Sequence, residues 1–322
     1  MIKLKKIGLL TSGGDSPGMN PCIRAVFREA AQHGIQVMGI RRGFAGLLDN
    51  DMFEMNSNHV SGIIQKGGTI LLTARCEEFK YEEAQKEAIN NLVKNECDAL
   101  IVIGGDGSFH GAQALAGRGL DVIGIPGSID NDIYGSDMSL GVDTAMNNII
   151  EAVDKIKDTA SSHERTFIIE TMGRGSGYLA LMSAIATGAE AAIIPEVKYD
   201  LEKIAARIKE RYKQGKVSNI IIVAEGASTA YQVARQLSKI AGIVSKITVL
   251  GHLQRGGSPS GYDRTLASRL GSAAVLKLLE GYSGCMVGLV KGEIKVTTFE
   301  NVFNNKRELG PRMIELAEVL GK

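Results

Sequence analysis

The stretch Ile101-Val102-Ile103-Gly104-Gly105-Asp106-Gly107-Ser108 passes from apolar, β-branched residues straight into two glycines and then into a sequence that suits a helix. Near the N-terminus, Leu9-Leu10-Thr11-Ser12-Gly13-Gly14-Asp15 makes the same passage. In α/β proteins a strand that ends on glycine and hands over to a helix presents bare backbone N–H groups, and such groups hold phosphate oxygens. The acidic cluster Ser128-Ile129-Asp130-Asn131-Asp132 follows soon after. Carboxylates beside a phosphate cradle suit Mg²⁺ binding and deprotonation of a hydroxyl, and an enzyme that phosphorylates an alcohol needs both. Glycine at a strand end and Asp at a helix start are ordinary in any α/β fold. Three such segments in one chain point further, to a phosphoryl-transfer site.

Outward from these segments, short apolar runs at 7–10, 99–103, 122–125, 167–169, 191–194, 220–224 and 247–250 read as central, buried parallel strands, several of them ended by glycine or proline. Helical stripes lie between them, one of Ile23, Val26, Phe27 and Ala30 and another of Met146, Ile149, Ile150, Val153 and Ile156. These stripes are core rather than chemistry. The charged stretch from Lys80 to Glu96 reads as a solvated helix with Ala84, Ala88 and Leu92 on its buried side. Alternating strands and helices argue for an α/β fold with doubly wound, mostly parallel sheets and ligands outside the carboxyl ends of the strands. A length of 322 residues favours two domains.

A formal net charge of +1 gives no electrostatic reason to expect nucleic acid or an anionic membrane as partner. The apolar run at 7–10 is too short for a signal-peptide core, and no run reaches membrane-spanning length. Cys22, Cys76, Cys97 and Cys285 lack metal-ligand spacing and the density of a disulfide scaffold, so a reducing cytoplasm is the expected home.

Five segments together carry a family resemblance: residues 11–20 (Thr-Ser-Gly-Gly-Asp-Ser-Pro-Gly-Met-Asn), Gly104 to Ser108, residues 126–132 (Pro-Gly-Ser-Ile-Asp-Asn-Asp), Met172-Gly173-Arg174, and residues 251–259 (Gly-His-Leu-Gln-Arg-Gly-Gly-Ser-Pro). Over essentially its full length the chain resembles the bacterial ATP-dependent 6-phosphofructokinases. That resemblance implies a homotetramer of subunits with two similar α/β domains. Residues 1–141 with 254–304 would bind ATP, and residues 142–253 with 305–322 would bind fructose 6-phosphate, in a site shared with a neighbouring subunit.

The resemblance also implies residue roles. Asp130 would be the general base that takes the proton of the sugar 1-hydroxyl, flanked by Ser128 and Asp132. An ordinary Asp, with pKa ~3.9, is a weak base, so positioning supplies most of its effect. Asp106 would hold Mg²⁺ between the ATP phosphates. Gly14 would meet the γ-phosphate, Arg75 would bridge the phosphate in transfer, and Arg174 would face its developing charge. Phe44, Arg75, Cys76 and Gly105, Asp106, Gly107 and Ser108 with Gly111 match ATP contacts. The sugar phosphate would be held by Met172, Gly173 and Arg174, by Glu225 on its hydroxyls, and by Arg165, Lys246, His252, Leu253, Gln254 and Arg255. Of these, Arg165 and Lys246 would come from the adjacent subunit.

Several positions depart from the pattern. Ser128 stands where the family usually has Thr, and Lys246 where it commonly has Arg; the lysine keeps the charge and loses the bidentate fork, so sugar-phosphate binding should weaken. In pyrophosphate-dependent relatives the positions of Gly107 and Gly127 are typically Asp and Lys, so two glycines favour ATP. Regulated members hold ADP or phosphoenolpyruvate at positions matching Arg24, Arg28, Lys157, Gly188 and Lys216, with Glu190 as a metal contact. Here Ser57, Gln214 and Val217 lack the usual positive charge, Lys157 replaces Arg and Tyr178 replaces Asp, so effector control should be weak or altered. The competing readings are a pyrophosphate-dependent phosphofructokinase, a lipid or NAD kinase with a Gly-Gly-Asp-Gly loop, and a non-catalytic binding subunit. The lipid and NAD kinases lack the Met172 and His252 motifs in this arrangement, and a binding subunit usually loses the base or metal carboxylate, whereas Asp106, Asp130 and Asp132 all remain.

Overall fold

The computed structural model describes residues 4–163, 165–216 and 218–321; Val217, weighed above for effector binding, lies outside them. The strands are β1 (Lys6–Thr11), β2 (Gln36–Ile40), β3 (Met52–Glu54), β4 (Ala99–Gly104), β5 (Asp121–Pro126), β6 (Thr166–Thr171), β7 (Ala191–Ile193), β8 (Asn219–Ala224), β9 (Ser245–Val249), β10 (Cys285–Val290) and β11 (Glu293–Thr298). The helices are α1 (Met19–Gln32), α2 (Gly43–Leu48), α3 (Glu82–Lys94), α4 (Asp106–Ala116), α5 (Val142–His163), α6 (Tyr178–Thr187), α7 (Leu201–Lys213), α8 (Ala230–Ala241), α9 (Gly261–Leu279), α10 (Phe299–Asn304) and α11 (Pro311–Leu320).

The chain divides into two compact units. The first comprises Met1–Ser128, Ile133–Thr144 and Arg255–Arg307, and the second Ile129–Asp132, Ala145–Gln254 and Glu308–Lys322. The sheet of the first unit has the order β11-β10-β5-β4-β1-β2-β3, parallel through its middle and antiparallel at both ends. Leu9, Ile101 and Ile123 stand in register on one face, packed with Ile23 and Val26 of α1 and Leu270 and Ala274 of α9. Leu10, Val102 and Val122 point to the other face and meet Leu92 of α3, Phe109 of α4 and Phe299 of α10. The period-two alternation of each strand thus fills two separate cores, the signature of a doubly wound sheet.

The second unit has a four-stranded sheet, β7-β8-β6-β9, parallel throughout. Ile168, Ile221 and Val223 pack there against Ile204 and Ile208 of α7 and Val233 and Leu237 of α8. Helix α11 lies against α6 and β7.

All seven apolar runs form strands, but not all are central as the sequence suggested. The runs at 191–194 and 247–250 give β7 and β9, the two edges of the second sheet, and β9 is only half-buried. The charged stretch is helix α3, which buries Ala88 and Leu92 and leaves Ala84 half-buried.

Candidate active site

In the first unit the two glycine loops converge because β1 and β4 are neighbours in the sheet. Ser12 N–H donates to Ile103 O at 3.0 Å, and Gly127 N–H to Gly104 O at 2.9 Å, so the loops after β1, β4 and β5 are stitched at their carboxyl ends. A side chain on Gly104 would meet Ser108 Oγ at 2.5 Å and Ser12 O at 2.7 Å, which is why that position must be bare. Gly105 caps α4 with no side-chain hydrogen bond, leaving the first N–H groups of the helix to a ligand. Asp106 and Gly107, in its first turn, are exposed, and a Cβ on Gly107 would meet nothing within 4 Å. Gly14 is exposed in the loop after β1, with the Arg255 guanidinium laid over it and Arg255 Nη1 donating to Asp15 O at 2.8 Å. Arg255, expected among the sugar-phosphate residues, therefore sits on the Gly14 loop.

Phe44 is buried, its ring against Gly111 and stacked on Phe79 at 4.2 Å between centroids. It forms the floor beneath α4. Arg75 is exposed, and Cys76 is half-buried at the start of a short 3-10 turn. Burial raises the thiol pKa of all four cysteines, of Cys97 and Cys285 to about 11, which disfavours the thiolate at neutral pH.

In the second unit, Asp130 is buried, its side chain 5% exposed, and Arg174 Nε stands 3.7 Å from its Oδ2. Both neighbourhoods carry a non-glycine residue in the left-handed region, Asn131 at φ 51° and Arg174 at φ 50°. The second is held by Glu225, whose Oε1 accepts the N–H of Gly173 at 3.2 Å and of Arg174 at 3.0 Å. Gln254, fully buried, accepts Met172 N–H at 3.1 Å and donates to Gly251 O at 3.0 Å. Thus Met172, Gly173, Arg174, Glu225 and Gln254 form one hydrogen-bonded group outside the carboxyl ends of β6, β8 and β9, with His252 and Leu253 exposed in the turn beside Gln254. Asp132 is exposed, and Ser128 is half-buried at the edge of the first unit. Arg165 and Lys246 lie elsewhere: Arg165 directly precedes β6, and Lys246 pairs with Phe167 near the start of that strand. At about 3.3 Å per residue, Arg165 is roughly 20 Å along the strand from Met172.

A family model described as phosphofructokinase matches residues 6–278. The chain belongs to the phosphofructokinase family. It is 50% identical over 317 residues to the ATP-dependent 6-phosphofructokinase of Halalkalibacterium halodurans, a match covering 98% of this chain and 99% of that relative. Among solved structures, phosphofructokinase from Saccharomyces cerevisiae aligns with a TM-score of 0.87 at 37% identity, over 93% of this chain and 45% of that one. A pyrophosphate-dependent phosphofructokinase from Marinobacter aquaeolei aligns with a TM-score of 0.85 at 21% identity, over 96% and 86% of the two chains, and shares the fold. The two-sheet α/β architecture is the family's.

Among the described residues no group of three or more His, Cys, Asp or Glu could hold a metal ion. Asp106, one exposed carboxylate at the mouth of an N–H cradle, fits the way Mg²⁺ binds when phosphates and waters supply most of its oxygens. His110, one turn along α4, stands 3.7 Å from it. The positions matched to effector binding fare differently. Arg24 and Arg28 are on α1 of the first unit, while Lys157, Gly188, Glu190 and Lys216 are in the second. Lys157 Nζ donates to Thr187 O. Glu190 is buried, with Oε1 taken by Arg211 Nη2 at 2.6 Å and Oε2 by Ile220 N–H at 2.5 Å. A carboxylate so engaged fits an internal anchor rather than a metal ligand.

Sequence reading missed Asp263. It is fully buried, and it accepts hydrogen bonds from Gly141 N–H and from both N–H and Oγ1 of Thr144. Burial raises its pKa, against the lowering effect of those bonds. Ser260-x-x-Asp263 at the start of α9 was the available signal, a spacing near that of a capping box.

Proposed function

We propose that this chain transfers the γ-phosphoryl group of ATP to the 1-hydroxyl of fructose 6-phosphate, giving fructose 1,6-bisphosphate and ADP, the committed step of glycolysis. The carrying observation is the buried Asp130 carboxylate beside Arg174, in a chain half identical from end to end to a relative named for this reaction.

On this reading the N–H groups at the start of α4 and at Gly14 hold the ATP phosphates, with Arg75 on the phosphate in transfer. Mg²⁺, when bound, neutralises phosphate charge, and Asp106 would hold it. Asp130 takes the proton of the attacking hydroxyl. Its burial beside Arg174 fixes the carboxylate in place, so that it meets the hydroxyl in position. Arg174 places positive charge where the equatorial oxygens gain negative charge. Glu225 has one oxygen committed to the Gly173 and Arg174 N–H groups, which sets the arginine's direction; its other oxygen serves a sugar hydroxyl. His252 binds the 6-phosphate, and Arg255 would reach it only on leaving Asp15 O.

Arg165 and Lys246 stand at the opposite end of β6 from Met172, and one sugar phosphate cannot bridge about 20 Å. That separation supports their serving the site of a neighbouring copy, in a homotetramer. The engaged Glu190 and Lys157 support weak or altered control by ADP and phosphoenolpyruvate, and strong phosphoenolpyruvate inhibition in a steady-state assay would contradict it. Four free cysteines suit the cytoplasm, and no helix among the described residues is long and apolar enough to cross a membrane.

A coupled assay with fructose 6-phosphate and Mg²⁺, run in parallel with ATP and with pyrophosphate, tests the reading. Turnover with ATP alone is expected. Turnover with pyrophosphate overturns the donor assignment, and turnover with neither overturns the enzyme.

A further inference from the structure

Helices α5 and α9 begin side by side and cap each other. In a capping box the acidic residue at the third helical position reaches back to the N–H of its own N-cap. Ser260 keeps its half of that arrangement, its Oγ accepting Asp263 N–H at 3.1 Å. Asp263 does not reach back. Its Oδ1 accepts Gly141 N–H at 2.9 Å, and its Oδ2 accepts Thr144 N–H at 2.8 Å and Thr144 Oγ1 at 2.5 Å. The Ser260 N–H that Asp263 leaves open donates instead to Thr144 Oγ1 at 3.0 Å, and Ser260 Oγ donates to Asp143 Oδ2 at 2.5 Å. The exchange removes orphan N–H groups from two helix starts at once and sets a carboxylate at the positive ends of both dipoles.

The location of this exchange gives it a consequence for chemistry. The chain leaves β5 at Pro126, passes through Ser128 to Asp132, and returns to α5 through Leu140 and Gly141. The return limb is tied to the outgoing one by Leu140 N–H on Pro126 O at 2.9 Å. It also lies against the turn Ser16-Pro17-Gly18 that leads out of the Gly13–Gly14 loop. Gly141 sits at φ 94°, and a Cβ there would come within 2.7 Å of Ser16 Cβ and 2.9 Å of Pro17 O. Asp263 holds the N–H of that same glycine.

We infer that Asp263 is a positioning residue for the phosphoryl transfer: its carboxylate pins the return limb of the Asp130 loop against the turn that carries the phosphate-binding glycines. It touches no substrate. Its loss lets Gly141 and the first turn of α5 shift, and a displacement of about 1 Å at a distance from the chemistry can cost about 10²-fold in rate. The inference rests on the kinase reading above.

The test compares wild type with Asp263→Asn, Thr144→Val and Thr144→Ser, each assayed well below its own melting temperature and normalised to folded protein. Asp263→Asn and Thr144→Val should lose about 10- to 100-fold in kcat, with KM for ATP and for fructose 6-phosphate changed no more than about threefold. Thr144→Ser, which keeps the hydroxyl, should restore wild-type kcat within about twofold. A lowered melting temperature with kcat unchanged in both damaging variants would make the exchange a plain structural cap and overturn the inference. Raised KM values with kcat retained would overturn it as well. Should Asp263→Asn fail to fold, Thr144→Val decides alone. An inactive wild type would mark failure of the kinase reading, whereas an active wild type with unimpaired variants would mark failure of this one.

Discussion

In the first unit the seven-stranded sheet finishes both edges with antiparallel strands, β3 and β11, and its candidate site centres on backbone N–H groups, with Asp106 and Arg75 beside them; in the second the four-stranded sheet is parallel throughout and its candidate site centres on charged side chains. The start of α4 and Gly14 present N–H groups that need no side chain. On the proposed reading, Asp130, Arg174 and Glu225 act through theirs. A backbone cradle is harmed by adding atoms, and a side-chain constellation by removing them. The proposed division of labour, nucleotide on the first unit and sugar phosphate on the second, therefore predicts opposite mutational sensitivities.

The largest effect should come from deletion in the second unit. Arg174→Ala should lower kcat by about 10²–10³-fold, the usual loss when one group facing transition-state charge is removed. A rise in KM alone would reassign Arg174 to ground-state binding. Next comes an addition in the first unit. Space around Gly107 is open, so Gly107→Ala should be nearly silent while Gly107→Asp sets a like charge against the ATP phosphates. Like-charge contacts cost several kcal/mol, and KM for ATP should rise at least about tenfold while KM for fructose 6-phosphate holds. Equal damage from Gly107→Ala would show sterics rather than charge at work. The smallest effect sharpens the edge-strand contrast. Lys246→Arg on β9 should restore the bidentate fork and lower KM for fructose 6-phosphate by about three- to tenfold. An unchanged KM would remove Lys246 from the sugar-phosphate site.

Much of the fold was readable in the sequence because a strand buried on both faces is apolar throughout. β4 and β8 are fully buried runs of that kind. Strand centrality was not readable: Ile247-Thr248-Val249 has the composition of a buried strand, yet β9 is an edge whose burial pattern alternates only partly. β11 escaped notice because Glu293 and Lys295 break up its apolar residues, and β3 because it is only three residues long; β2 and β10 are as apolar as the runs that were read. The glycine loops could be read because a bare backbone leaves a compositional mark. The partnerships of Asp130 with Arg174 and of Glu225 with the Gly173 and Arg174 N–H groups could not, since each joins segments far apart in sequence. Asp263 shows the limit most sharply. Its spacing from Ser260 suggested a local cap, while its actual partners, Gly141 and Thr144, lie about 120 residues earlier.

The most direct test of the account is kcat of Asp130→Asn with ATP and fructose 6-phosphate, measured beside both KM values. Asparagine keeps the shape and cannot accept the proton. A fall of about 10²–10⁴-fold in kcat, with both KM values nearly unchanged, is the predicted result. Retention of kcat within about tenfold would contradict Asp130 as the base, and with it the assignment of the acceptor site to the second unit.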